Sequence, residues 1–240
     1  MSSALLLVGH GSHLNAESSD PVYAHARAIR ERAVFGEVLI AFWKEEPSLS
    51  RALDGCASDA VTVVPVFMSA GYFTNEVIPR EMGLGGRISS VRGKRVRYTA
   101  PVGSHPALAK VIVQRALEAG AKPGDALAVL GHGTERNRDS QANIYQQTEN
   151  VRRLGAFSEV VTVFMDQAPG MNEVFALTSA PQVVVVPVFI ADGWHAAQTI
   201  PEELGGLPGA GRRLRYAAAV GTHPSIAGVI LELAQEAAAW

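Results

Sequence analysis

The chain has 240 residues, 48% of them hydrophobic, enough to bury the core of one large domain or two small ones. A formal net charge of −2 supplies no electrostatic footprint for nucleic acid or an anionic membrane, so an acidic ligand has to be met by local cations. The single cysteine, Cys56, excludes an internal disulfide, a thiolate zinc cage and a cysteine-ligated cluster within one chain. The first apolar run, Leu5-Leu-Leu-Val-Gly-His-Gly-Ser12, has no basic region before it and is interrupted quickly by Gly9-His10-Gly11. It reads as a buried strand and not as a signal peptide or membrane span, and the expectation is a soluble cytoplasmic protein. That strand delivers one imidazole at its carboxyl end, with a glycine on each side permitting a sharp turn.

Ser19-Asp20-Pro21 then supplies a cap and a first-turn proline. Val22, Ala26, Ile29 and Ala33 follow at helical spacing, and Gly36 fits the stop. Glu37 to Trp43 is the second strand, and Ser48 opens a short helix through Leu49 and Leu53. Val61 to Phe67 is the third strand, in which Pro65 predicts that regular pairing ends near Val64. Thr74 to Met82 is a short helix in which Pro79 suggests a kink. Arg95 to Ala100 is the fourth strand, Pro106 to Ala119 the last helix, and the region around Gly120 to Gly124 a junction.

Beyond the junction the plan recurs. An offset of 122 carries Gly9-His10-Gly11 to Gly131-His132-Gly133, Tyr23 to Tyr145, Pro47 to Pro169, Pro65 to Pro187 and Ile78-Pro79 to Ile200-Pro201. After that the offset falls to 118, pairing Tyr98 with Tyr216 and His105-Pro106 with His223-Pro224, so the second copy is four residues shorter near Gly205 to Gly211. Leu127 to Leu130, Val160 to Met165, Val183 to Val186 and Leu214 to Ala218 are its strands. A long repeat occurring twice means duplicated domains and not a solenoid. Strands separated by helices imply parallel sheets with right-handed crossovers. The expected fold is α/β, two tandem doubly wound parallel-sheet domains, residues 1–122 and 123–240, with a cleft between them. Ligands of such sheets bind outside the carboxyl ends of the strands.

Three residues of the second copy fall there. His132 follows its first strand, Asp166 its second and His195 its third. Two imidazoles and a carboxylate on one rim suit a divalent transition metal such as cobalt, iron, nickel or zinc. The first copy keeps His10 but has Lys44 in place of Asp166 and Phe73 in place of His195, which predicts one metal site per chain, on the second half.

At these residues the chain resembles the type II chelatases of cobalamin and sirohaem synthesis, the sirohydrochlorin cobaltochelatases of the CbiX kind, in a two-domain form. The resemblance rests on Gly-His-Gly-[Ser/Thr] at the strand end and on Pro-[aliphatic]-Phe followed by Gly-x-His and a later Ile-Pro. It includes Gly-[Ser/Thr]-His-Pro near each repeat's end, and it covers nearly the whole chain. It implies insertion of a divalent metal, Co2+ first, with Fe2+ or Ni2+ as alternatives, into a sirohydrochlorin-type tetrapyrrole held between the halves, with no organic cofactor. His132 and His195 match the family's catalytic, metal-contacting histidines, and Asp166 resembles its carboxylate ligand. Short members carry Glu three residues after the second histidine. Here that position is Gln198, whereas Glu76 occupies it in the first half and is expected to supply the acid from the opposite wall.

The chemistry needs a base over the ring face to take two pyrrole protons as the metal enters, and imidazole, with an ordinary pKa of about 6.5, suits both base and ligand roles. Arg136, Asn137 and Arg138 follow directly on the second Gly-His-Gly turn, where guanidinium forks match ring carboxylates. Trp194 is placed to stack on the ring, and His10 to serve as cleft wall or relic. His105 and His223, each preceding a proline, are expected to act as caps or turn residues, and His13 and His25 to face solvent; Cys56 reads as a small buried apolar residue. Two other functions compete: a non-catalytic metal or tetrapyrrole carrier, and a phosphoryl-transfer enzyme with a Gly-His-Gly nucleophile. The second is disfavoured because glycines flank the histidine where neighbouring cations would be wanted. The expected assembly is a monomer with pseudo-two-fold halves or a weak homodimer.

Overall fold

Leu5, Leu6 and Leu7 are all fully buried, which a strand achieves only when both of its faces are covered. The computed structural model describes residues 3–13, 18–133, 138–193, 198–207, 209 and 211–240, with the side chains of residues 138 and 139 excepted. It divides into two compact units, Met1–His105 with Pro224–Trp240, and Pro106–His223.

In the first unit, β1 (Ser3–Gly9), β2 (Glu37–Phe42), β3 (Ala60–Pro65), β4 (Ile88–Val91) and β5 (Lys94–Tyr98) form a sheet in the order β2-β1-β3-β5-β4. All neighbours are parallel except the β4–β5 hairpin. Helix α1 (Asp20–Glu31) packs on β1 and β2. On the other face Leu6, Val8, Ala41, Val61 and Val63 bury against Leu49 and Leu53 and against Ile78 and Met82 of α2 (Ile78–Met82).

The second unit repeats this with β6 (Ala126–Gly131), β7 (Glu159–Phe164), β8 (Gln182–Pro187) and β9 (Arg213–Tyr216), all parallel and ordered β7-β6-β8-β9. Helix α4 (Arg138–Arg153) lies on β6 and β7, and α5 (Ile200–Gly205) on β9. In the first repeat a two-residue turn at Arg92-Gly93, with φ of 50° and 78°, closes the hairpin that adds the short edge strand β4; among the described residues the second sheet has no such strand.

The compact units do not follow the repeat boundary. Helix α3 (Leu108–Glu118), the last element of the first repeat, packs on α4 and β8 in the second unit. Helix α6 (Ile226–Ala238), the last of the second repeat, packs on α1, β3 and β5 in the first. The two His-Pro elements mark these crossings. His105 closes a 3-10 turn, Val102–Ser104, and its Nε2 lies 3.2 Å from Glu236 of α6. His223 closes the matching turn, Val220–Thr222, and its Nε2 lies 3.0 Å from Glu118 of α3. Both rings are buried, so the expected turn role is joined by a side-chain contact with the last helix of the other repeat. Burial pushes the Glu118 carboxyl up, but hydrogen bonds and charge from His223 and Arg115 outweigh it and hold the group below its usual value. A carboxyl so depressed adds stability above its unfolded pKa, about 4.3, which is lost as pH falls through the folded value. Glu118→Gln is therefore expected to melt a few degrees lower at pH 7 and to lose less on acidification from about pH 5 to 3 than the parent chain. Parallel melting curves across that range would remove the pairing as a contributor.

Several local expectations change. Pairing to β1 continues through Pro65, because Val66 N–H donates to Val8 O at 2.8 Å and the proline nitrogen points to the side where β5 has ended, at Tyr98 opposite Val63. The Thr74–Met82 helix is a π turn, Phe73–Val77, leading into α2, so Pro79 sits in a first α turn and not at an interior kink. Helix α1 ends at Glu31; the stop is Ala33, at φ 52° and exposed, not Gly36. Ser19 gives its hydroxyl to Glu45 instead of capping α1. His25 is 3% exposed, since it lies three residues from Val22 and four from Ile29 on the buried stripe. Cys56 is buried as expected, beside Ser58 O.

Candidate functional site

Both Gly-His-Gly segments are turns at the carboxyl end of a central strand, and each glycine has its own physical reason. A Cβ at Gly131 would come within 3.0 Å of the Phe164 ring and 2.8 Å of Ile144; one at Gly9 would meet Phe42 at 2.9 Å. The residue before the histidine is thus bare because in each repeat a buried phenylalanine packs against it. Gly133 and Gly11 have φ of 79° and 69°, where any other residue is strained. The neighbouring strand is then tied to the turn by backbone: Asp166 N–H donates to His132 O at 3.0 Å, and Lys44 N–H to His10 O at 2.8 Å. Sheet register alone therefore sets the histidine beside the residue that follows the second strand.

In the second unit that neighbour is a carboxylate. His132 Nδ1 lies 3.0 Å from Asp166 Oδ2 and 3.2 Å from Gly133 O, with side-chain exposures of 69% and 57% for the histidine and the aspartate. Both partners accept, so Nδ1 carries the proton and Nε2 presents its lone pair to solvent or a ligand. A carboxylate behind an imidazole fixes the tautomer and raises ligand basicity. Lone pair, oriented ring and adjacent negative charge suit binding of a divalent metal or acceptance of a proton.

In the first unit the neighbour is Lys44, whose Nζ stands 4.1 Å from the Trp43 ring. The His10 ring is 4.8 Å from Phe73 and 5.3 Å from Trp43, both edge-on, and its Nδ1 is 2.8 Å from Gly11 O. Glu76 is exposed on the π turn that begins at Phe73. Of the expected metal set, His132 and Asp166 are thus together. His195, with Trp194, Arg136 and Asn137, lies outside the described residues, as does the side chain of Arg138 at the start of α4. Among the described residues no three His, Cys, Asp or Glu side chains converge as a metal cage.

Two supporting residues escape a motif reading. Glu45 accepts from the Ser12 N–H at 3.1 Å and the Ser19 hydroxyl at 2.7 Å, holding both serines to one carboxylate. Burial and the nearby Glu45 charge push the Tyr23 phenol up. Gln167, the repeat partner of Glu45, packs under Gly133 as Glu45 packs under Gly11, so two long polar side chains at one repeat position are the signal that marks them. Asp192 accepts from Ala219 N–H at 2.6 Å and from the Thr222 hydroxyl at 3.3 Å, anchoring the loop that leads to Trp194 and His195. Burial, with Asp192 adding its charge, raises the Tyr216 phenol. Asp192 corresponds to Ala70 in the first repeat, so the duplication gives no hint of it.

The CbiX family model matches residues 4–119 and again 126–237, one match per repeat. A protein of Halobacterium salinarum, described as a probable sirohydrochlorin cobaltochelatase, is 44% identical over 268 residues, spanning 98% of this chain and 92% of that protein. Among solved structures, a multi-domain protein of Deinococcus radiodurans, described as similar to chelatases with two additional novel domains, superposes with a TM-score of 0.85 at 34% identity. That alignment covers 97% of this chain and 54% of the other, so the chain spans about half of its length. SirB of Bacillus subtilis, solved with Fe3+, superposes over 100% of this chain and 96% of its own with a TM-score of 0.84 at 20% identity, a likeness of fold.

Proposed function

The chain belongs to the CbiX family, and from that membership we propose that it inserts a divalent metal, Co2+ foremost, into a sirohydrochlorin-type tetrapyrrole. The observation that carries this reading is the His132–Asp166 pair at 3.0 Å on the carboxyl rim of the second sheet, in a chain whose first sheet has Lys44 and aromatic rings at the same place. His132 Nε2, and His195 from the loop that Asp192 anchors, are the groups proposed to contact the metal and to accept the two pyrrole protons. Asp166 is proposed to hold the His132 tautomer and to offset the charge that arrives on the ring, whether from the metal or from a proton. Arg136, Asn137, Arg138, Trp194 and His10 are proposed contacts of the tetrapyrrole, and Glu76 an additional acid. Iron or nickel insertion uses the same groups, since nitrogen and oxygen donors do not single out one of these ions.

The test follows ring absorbance when the purified protein is mixed with sirohydrochlorin and Co2+, Fe2+ or Ni2+. Acceleration over the spontaneous reaction is expected, largest with Co2+. Binding of metal and ring without acceleration by any ion favours a carrier and overturns the enzyme. In the same assay Asp166→Asn is expected to lose roughly 10- to 100-fold, the range for a carboxylate behind a ligating imidazole. An Asp166→Asn rate within twofold of the parent removes that residue's role, and an unchanged Glu76→Ala rate removes that of Glu76.

A further inference from the structure

We infer that the carboxyl rim of the first sheet is a binding face for the flat ring of the tetrapyrrole itself, built from Trp43, Phe73 and Tyr72 with Lys44 as a carboxylate partner. This inference rests on the chelatase reading and assigns the ring-holding task to residues that the metal site does not use. The strand order β2-β1-β3-β5-β4 places the topological switch point at β1 and β3, the position where α/β sheets bind ligands. His10 follows β1, and Phe67 and Phe73 follow β3, so the aromatic group stands at that crevice. Its rings are in mutual contact: Trp43 to Phe73 at 4.9 Å, Phe67 to Phe73 at 6.3 Å and Tyr72 to Phe73 at 5.9 Å.

A group of rings serving only as core would be closed over. Here Trp43 and Phe67 rest on the apolar core below, yet Trp43, Phe67 and Phe73 all keep part of their surface open, and Tyr72 is 62% exposed. Exposed aromatic surface at a switch point is the mark of a ligand face. Charge narrows the ligand. Lys44 lies over Trp43 and pairs with no carboxylate among the described residues, so its charge is available to an anionic substituent. The Lys44 ammonium, where the second repeat has Asp166, repels a divalent cation, and Phe73, where it has His195, supplies no ligand, which leaves His10 without the two partners of the second rim. Planar, conjugated and carboxylate-bearing is the chemistry that remains, and it is the chemistry of the metal-free tetrapyrrole. The duplication has thus divided the labour: one rim for the ion, the other for the ring.

The experiment measures two affinities in the full chain: metal-free sirohydrochlorin, by the change in ring absorbance on binding, and Co2+, by competition with a chromophoric chelator. Trp43→Leu and Tyr72→Ala are each expected to weaken ring binding by about tenfold, the order expected for a lost aromatic contact, while Co2+ affinity stays within twofold. Lys44→Gln is expected to weaken the ring several-fold, and that loss should disappear when the ring carboxylates are esterified. Tyr72 lies largely outside the core, so its variant reports on binding even where Trp43→Leu fails to fold. Parent-like ring affinity in Tyr72→Ala and Lys44→Gln would overturn the ring face and leave the chelatase reading intact. A parent chain that binds no sirohydrochlorin would overturn both.

Discussion

His132→Ala is expected to lower the rate of metal insertion by about 100-fold or more, and His10→Ala by less than about threefold, although both histidines occupy the same position in the same motif. The difference lies in what surrounds each ring. His132 has a carboxylate at 3.0 Å behind Nδ1 and no partner at Nε2 among the described residues, whereas His10 is wedged edge-on between Trp43 and Phe73 with a lysine in the neighbouring register. Because the His132 side chain is 69% exposed, its removal should leave the melting temperature within a degree or two, which separates loss of chemistry from loss of fold. Initial rates of the absorbance change with sirohydrochlorin and Co2+ make the comparison. Equal damage from the two substitutions would mean that the chain has two working sites.

The largest effect on stability is expected at two glycines that carry no functional group. A Cβ built on Gly103 would overlap the backbone carbonyl of Met68, and one on Gly221 the carbonyl of Ile190. Each glycine also donates its N–H to the strand extension beneath it, to Phe67 O and Phe189 O respectively, at 2.8 Å in both cases. Backbone has met backbone, so no side chain can swing aside to make room. Gly103→Ala and Gly221→Ala should each cost about 3–5 kcal/mol and lower the melting temperature by roughly 10 °C. Gly55→Ala, where a methyl group meets open space, should shift it by no more than about 2 °C. A Gly103→Ala protein as stable as Gly55→Ala would show that the 3-10 turn can move away from the third strand at little cost. The clash also bears on the site, since Met68 and Ile190 open the loops that run to Phe73 and to His195.

The duplication was legible because it lives in short, position-specific chemistry: Gly-His-Gly, the prolines of the third strands, Ile-Pro and His-Pro. Parallel strands were legible from unbroken apolar runs, and the His132–Asp166 pairing from the rule that strand ends share a rim. What escaped depended on surfaces and not on periods. Ile88-Ser-Ser-Val91 is too short and too polar to stand out, and only the Arg92-Gly93 turn marks it as an edge strand. His25 looked like a surface residue by type, yet its helical spacing from Val22 and Ile29 put it inside. The missing donor of Pro65 is plain in the sequence, but the neighbour that donor would face depends on where β5 ends. The destination of α3 and α6 had no sequence signal, because an amphipathic helix records that it must be covered and not by which sheet.

That last feature orders events during synthesis. The second unit, Pro106–His223, is one unbroken stretch, complete as soon as it has left the ribosome. The first unit also needs Pro224–Trp240, which are made only after the whole of the second unit, because α6 covers β3 and β5. Until then its sheet keeps one apolar face open, joined to its cover by contacts more than 100 residues apart in sequence, such as His105 with Glu236. The half that is translated first is therefore the half that finishes folding last, and a stalled or truncated chain would display a sticky first sheet beside a finished second one.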